Sequence, residues 1–155
     1  MVRDRGAGRM TAIREQIATL LDARLQAIAA AHGGEYERDP SGDPTGWPAI
    51  SLDDEGQDPS DEESGVTRYA MSVAIEVYSE GGSGMAVSRE LNELHAEIVP
   101  AIMTPGEPPF DGLVERVEEG QLKRFTAPLA SKPRKGFRQR FTIIFTTRRG
   151  DPASQ

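Results

Sequence analysis

The sequence has no cysteine, and that absence removes disulfides, thiolate metal sites and cysteine nucleophiles together. It has only two histidines, His32 and His95. Neither has a partner three or four residues away, and neither lies in an HExxH pattern, so both read as structural. His32 falls at a helix C-terminus, where the dipole favours a cation, and His95 lies beside an apolar stripe. No window approaches about 18 uninterrupted apolar residues, so no helix is expected to span a bilayer. The opening residues carry charges but no apolar run, so they do not read as a signal peptide. Hydrophobic residues are also sparse at 37%, while 16 Gly and 11 Pro predict long loops. What remains is 155 residues, a length that fits one domain with a core of its own.

The net charge of −7 argues against a duplex-binding protein, whose affinity comes largely from neutralising phosphates. That total is strongly segregated. Residues 35–63 hold 11 acidic residues and one basic residue, a local charge of −10. Residues 116–149 hold 10 basic and two acidic residues, a local charge of +8. Such asymmetry fits copies that meet each other or meet charged partners. A solvated loop beside an arginine-studded strand would give the same pattern.

Residues 1–10 read as a disordered arm. A helix is predicted over 11–32, because Ile13, Ile17, Leu20, Leu21, Leu25 and Ile28 share one stripe. Thr11 is its expected N-cap and Gly33-Gly34 its stop. Residues 35–46 read as turn chemistry. A short strand follows at 47–53, with Pro48 near its start. Residues 53–65 (DDEGQDPSDEESG) are expected to form a long acidic loop. Strict alternation over 67–78 predicts a long strand with one apolar face. A second helix is predicted over 85–103, carried by Val87, Leu91, Leu94, Ile98 and Ile102, with Pro100 kinking or shortening its end. Residues 104–112 form a Pro-rich loop. Gly120 divides a weaker strand region that starts at Leu113, and 127–136 reads as a basic loop. The clearest strand covers 137–147, and residues 153–155 are a tail. The expected fold is α+β in the order α-β-β-α-β-β, a mostly antiparallel four-stranded sheet packed by two amphipathic helices, over one domain at 11–152.

The motifs that carry chemistry are few. Asp53-Asp54-Glu55-Gly56 with Asp58 offers several hard oxygens, but the spacing fails the calcium-loop pattern. Gly81-Gly82-Ser83-Gly84 joins a strand to a helix, the context of a phosphate-cradling loop. It lacks the Lys-Ser/Thr of a Walker motif and the full GxGxxG. No GxSxG elbow is present, and neither Ser79 nor Ser88 has a positioned base. No catalytic, cofactor-binding or metal-ligating residue is assigned. Arg138, Arg140, Arg148 and Arg149 could contact nucleic acid from a strand. Phe137, Phe141 and Phe145 fall on the face opposite Arg138 and Arg140, so they read as core rather than as base-stacking platforms.

The layout resembles the tail terminator family of long-tailed phages and phage-derived particles such as gene transfer agents, the minor tail protein U group. The resemblance rests on an early helix (TAIREQIATLLDARL), a Trp-Pro-Ala-Ile strand and the long alternating strand YAMSVAIEVYSE. It continues through a second helix to the closing strand FTIIFTTRRGDP, with Arg-x-Gly-Asp-Pro last, and covers about residues 11–152. The acidic 53–65 segment and the polar leader depart from it. The resemblance implies a non-enzymatic virion protein without a cofactor, made in the bacterial host cytoplasm and placed at the tail-neck junction. It implies a homohexameric ring that caps the tail tube, stops its polymerisation and joins the tail to the head connector. Partners would be other copies of the chain, the tail tube protein and the head-completion or connector protein. DNA would pass through the ring without base-specific binding, and no membrane is involved. The candidate contact residues are Asp53, Asp54, Glu55, Asp58, Asp61, Glu62 and Glu63 on the acidic side. On the basic side they are Arg134, Lys135, Arg138, Arg140, Arg148 and Arg149. The alternatives are another neck or head-completion protein and a small-ligand-binding regulatory α+β module.

Overall fold

The computed structural model describes residues 11–63, 65–103, 109–126 and 133–155. The expected arm at 1–10 and much of the 104–112 and 127–136 loops lie outside the described residues. The first helix, α1 (Ile13–Ala31), buries Ile13, Ile17, Leu21 and Leu25, with Leu20 and Ile28 packed at the margin of the core. Its N-cap is Ala12 and not Thr11, and no side chain caps it. The C-terminal segment supplies an acceptor instead, because Ile13 N–H donates to the Pro152 carbonyl at 2.9 Å. At the other end Gly33 takes φ 71°, and Gly34 N–H donates back to the Ala29 carbonyl at 2.8 Å. That six-residue closure is a Schellman stop.

The chain leaves α1 directly into a strand, where local composition alone favours a turn. β1 (Glu35–Arg38) pairs in parallel with β2 (Ala49–Glu63). Tyr36 and Arg38 face α1, where the Tyr36 hydroxyl donates to Asp22 at 2.6 Å and the Arg38 guanidinium forks onto Glu15 at 2.6 and 2.8 Å. The Arg38 hydrogen bonds hold the Glu15 carboxyl below its ordinary range, against a smaller opposing effect of burial.

Within the expected acidic loop at 53–65, residues 53–63 are also strand. β2 continues through Glu63, antiparallel to β3 (Val66–Glu80). Pairing with an apolar-faced neighbour satisfies the backbone of β2, so its side chains need not be buried. The acids, Gly56 and Pro59 are tolerated because β1 covers only Ala49–Leu52, which leaves the rest of β2 at the sheet edge. Register shifts between Asp54 and Gly56, and between Pro59 and Asp61, absorb the irregular residues.

α2 (Gly84–Met103) begins where the Ser83 hydroxyl accepts from Ala86 N–H at 3.1 Å. It runs through Pro100, and Ile98 and Ile102 are buried on either side of that residue. A turn at Pro109–Gly112, in which Phe110 and Asp111 take φ 46° and 57°, inserts Phe110 into the core, with the Arg24 guanidinium 4.3 Å above the ring. β4 (Arg116–Thr126) and β5 (Arg134–Arg148) complete a five-stranded mixed sheet in the order β1-β2-β3-β5-β4. The fold is therefore α+β as expected, with five strands rather than four and one parallel pairing.

Alternation fixes the two faces of this sheet. Val73, Ile75 and Val77 of β3 and Phe137, Phe141 and Phe145 of β5 join the stripes of both helices in one core. The three phenylalanines are buried there, as their spacing required. One inward position is polar. Gln139 is fully buried, and its amide nitrogen donates to the carbonyls of Gly120 at 2.7 Å and Arg140 at 3.1 Å. Its Oε1 lies 3.2 Å from His95 Nε2, whose ring packs edge-on against Phe137. The ladder of β4 is irregular between Glu119 and Leu122, and it is in this bulge that the Gly120 carbonyl accepts from Gln139.

Candidate functional site

Strand residues that point away from the helices form a charged face on which no helix packs among the described residues. Arg138 stands at its centre on β5, opposite Glu76 in the β3 register. Its guanidinium binds Asp53 at 2.8 Å, Glu55 at 3.2 Å and Glu76. Burial works against this cation, but the hydrogen bonds to Asp53 and Glu55 and the field of Glu76 outweigh it and push its pKa up. Arg140 reaches the same Glu55 at 3.3 Å. The acidic and basic stretches of the sequence thus meet inside one chain, through antiparallel pairing of β2 and β5 across β3.

Other expected contact residues are placed differently. Asp54 points to the helix side and pairs with Arg14 of α1. Asp58 is exposed, opposite Ala70 of β3. The backbones of Asp61, Glu62 and Glu63 pair with Arg68, Thr67 and Val66 near the end of the β2–β3 ribbon. Arg134 binds Glu80 at 2.7 Å and stacks over the Trp47 ring at 4.4 Å. Lys135 lines a shallow depression with Ser88 and Arg124. Arg148 bridges to Asp151 at the end of β5, and Arg149 N–H donates to the Gly65 carbonyl at 3.0 Å. The acidic and basic sets do not form a single patch.

Sequence reading missed a cleft of about 320 Å³ on this charged face, between β1, β2 and the loop that joins them. Glu35, Glu37, Asp43, Trp47, Tyr78 and Arg134 line it. Glu35 and Glu37 alternate with the helix-facing Tyr36 and Arg38, a period of two that marks the strand. Four residues of alternation are too short to stand out against the Asp, Pro and Gly that follow. On the side away from the cleft, across Gly136 of β5, Tyr78 meets Phe125 of β4 edge-on, with ring centres 5.3 Å apart. Gly136 permits that contact, since a Cβ there would fall 2.7 Å from the Phe125 ring.

Tyr36 and Tyr78 both hold their phenol protons past the ordinary tyrosine range. Burial is the larger cause for each, followed by donation to Asp22 and Glu76 respectively. Folding therefore favours the neutral phenol. The stabilisation is fully present below the ordinary tyrosine pKa and is lost as pH rises through the elevated one. An ultraviolet titration should find these two phenols un-ionised until alkaline unfolding, and Tyr36→Phe should remove one from the late, cooperative phase. Early ionisation of both in the folded chain would overturn the assignment.

Among the described residues, no group of three His, Asp or Glu side chains is placed to hold a metal ion, and no helix is long and apolar enough to cross a membrane. No protein-family model matches the chain, and no curated protein matches it. The class defined by fold and site is an α+β domain, with one sheet face under two helices and the other charged and, among the described residues, without a helix on it.

Proposed function

We propose that the chain is a structural subunit of a phage-type tail, a terminator that forms a ring on the tail tube and joins it to the head connector. The observation that carries this reading is the charged sheet face, flanked by two open edges of different character. One edge is β1 with the acidic continuation of β2, and the other is β4. Dissimilar edges on one subunit suit a heterologous head-to-tail contact, which closes into a ring when the rotation allows. The resemblance in element order and in the closing Arg-x-Gly-Asp-Pro supports the same reading. That closing segment ties the end of β5 to the start of α1 through Ile13 and Pro152, so the fold has a use for it. Assembly in the tail would place the protein in the virion, with the tube protein and the connector as neighbours. The cleft gives some support to the second reading, a ligand-binding module.

The test is the mass of the intact particle, by native mass spectrometry, alone and after mixing with tail tubes. Hexamers, or monomers that form rings on tubes, are the expected result. A fixed dimer carrying a small metabolite would overturn it in favour of the second reading. Asp58 and Arg148 are exposed and in no ion pair among the described residues. Reversing them (Asp58→Lys with Arg148→Glu) should weaken assembly about tenfold while folding stability moves by no more than about 0.5 kcal/mol. Unchanged rings would remove both residues from the interface.

A further inference from the structure

We infer that the cleft between β1, β2 and their connecting loop is a docking site for an arginine side chain presented by a segment of a partner protein. This inference does not depend on the ring. Its basis is how charge is distributed around a cavity with aromatic walls. Of the charged groups in the cleft, Arg134 is bound by Glu80, and Glu76 is bound by Arg138 and by the Tyr78 hydroxyl. Glu35 accepts only neutral donors, the Thr45 amide at 2.9 Å and its hydroxyl at 3.2 Å. Glu37 and Asp43 are exposed and have no hydrogen-bond or ion-pair partner among the described residues. Three carboxylates therefore line one cavity, and none of them is paired with a cation among the described residues.

Three features select a guanidinium over other cations. First, a small ion would need at least three carboxylates converging on one point, and no such group is placed that way among the described residues. The acids are spread along the cleft, which suits a planar cation with several donors. Second, Trp47 and Tyr78 offer aromatic surface beside them, and aromatic faces attract a desolvated guanidinium. Third, the same wall already holds such an arrangement, with Arg134 at 4.4 Å over the indole and a carboxylate at 2.7 Å. The Thr45 amide fixes Glu35 in place before anything binds, which lowers the ordering cost. The negative field of the cleft excludes nucleic acid.

Trp47 is the one tryptophan in the chain, so indole fluorescence excited beyond the absorption of the three tyrosines reports on the cleft. The full-length protein would be titrated with an end-blocked Gly-Arg-Gly-Arg-Gly peptide, its citrulline counterpart, its lysine counterpart and spermidine. A saturable change with the arginine peptide, weaker with lysine and absent with citrulline, is expected. Glu37→Gln with Asp43→Asn should weaken binding about tenfold without altering the melting curve, because both side chains are exposed. Equal response to citrulline or to spermidine, or parental affinity in the double variant, would overturn the inference. Native mass spectra of the same samples read the ring separately, so intact rings without peptide binding would reject the cleft and leave the terminator reading standing.

Discussion

Gly34→Ala is expected to cost about 3 kcal/mol of folding free energy and to detach β1 from the sheet. An added Cβ at this position would fall 2.0 Å from the Pro48 carbonyl oxygen, a backbone atom with no rotamer to escape into. Gly34 sits where the chain turns from α1 into β1, and the next amide, Glu35 N–H, donates to that same oxygen at 3.0 Å. Relieving the clash breaks this bond, the first rung between β1 and the Pro48 segment. The neighbouring glycine provides the control. Gly33 has φ 71° but open space where a Cβ would stand, so Gly33→Ala carries only the left-handed strain, about 1 kcal/mol. Urea denaturation of both variants measures the difference. If Gly34→Ala loses no more than Gly33→Ala, the close approach to Pro48 is not present in solution. Because Glu35 and Glu37 ride on β1, Gly34→Ala should also abolish any binding in the cleft.

Arg138→Glu is expected to cost about 3 kcal/mol at low ionic strength. The substitution removes the cation that bridges Asp53, Glu55 and Glu76 and puts a fourth carboxylate among them. Arg138 is only partly buried, so the loss falls at the lower end of what a broken interior pair costs. Added salt should narrow the gap between variant and parent, because part of the penalty is repulsion between partly solvated charges. Arg138→Lys keeps the charge but not the planar fork, and should lose about 1 kcal/mol. A variant as stable as the parent would mean that the three carboxylates are satisfied by water alone. The bridge also changes what an assembly experiment on this residue can say. Reversing Arg138 disturbs the sheet of the chain itself, whereas reversing Asp58 and Arg148 tests the proposed contacts between copies.

The two helices and the long strands β3 and β5 were legible because each buries one side of a regular repeat. A helix that loses its Ile17-Leu21-Leu25 stripe, or a strand that loses Phe137, Phe141 and Phe145, has nothing else to hold it. β1 and the outer half of β2 were not legible for the opposite reason. Their side chains are acids, glycine and proline, residues that favour turns when read locally, and the ladder with a neighbour makes them strand. Thr11 has the chemistry of a cap but does not act as one, because the actual acceptor for Ile13 comes from Pro152, at the far end of the sequence. Gln139 is inconspicuous among alternating phenylalanines, since its partners His95 and Gly120 come from other elements.

By itself, the sequence determined the α+β class, the apolar faces, the absence of thiol chemistry and the division of charge into an acidic and a basic stretch. These follow from residue type and local period, which need no neighbour to be read. Tertiary structure alone decided where that charge goes. Pairing β2 and β5 on either side of β3 brings Asp53 and Glu55 onto Arg138 and Arg140 within one chain. It leaves Glu37 and Asp43 beside Trp47 in a cleft, paired with no cation among the described residues. Which charges neutralise one another depends on strand order and register, and both are set by long-range backbone pairing.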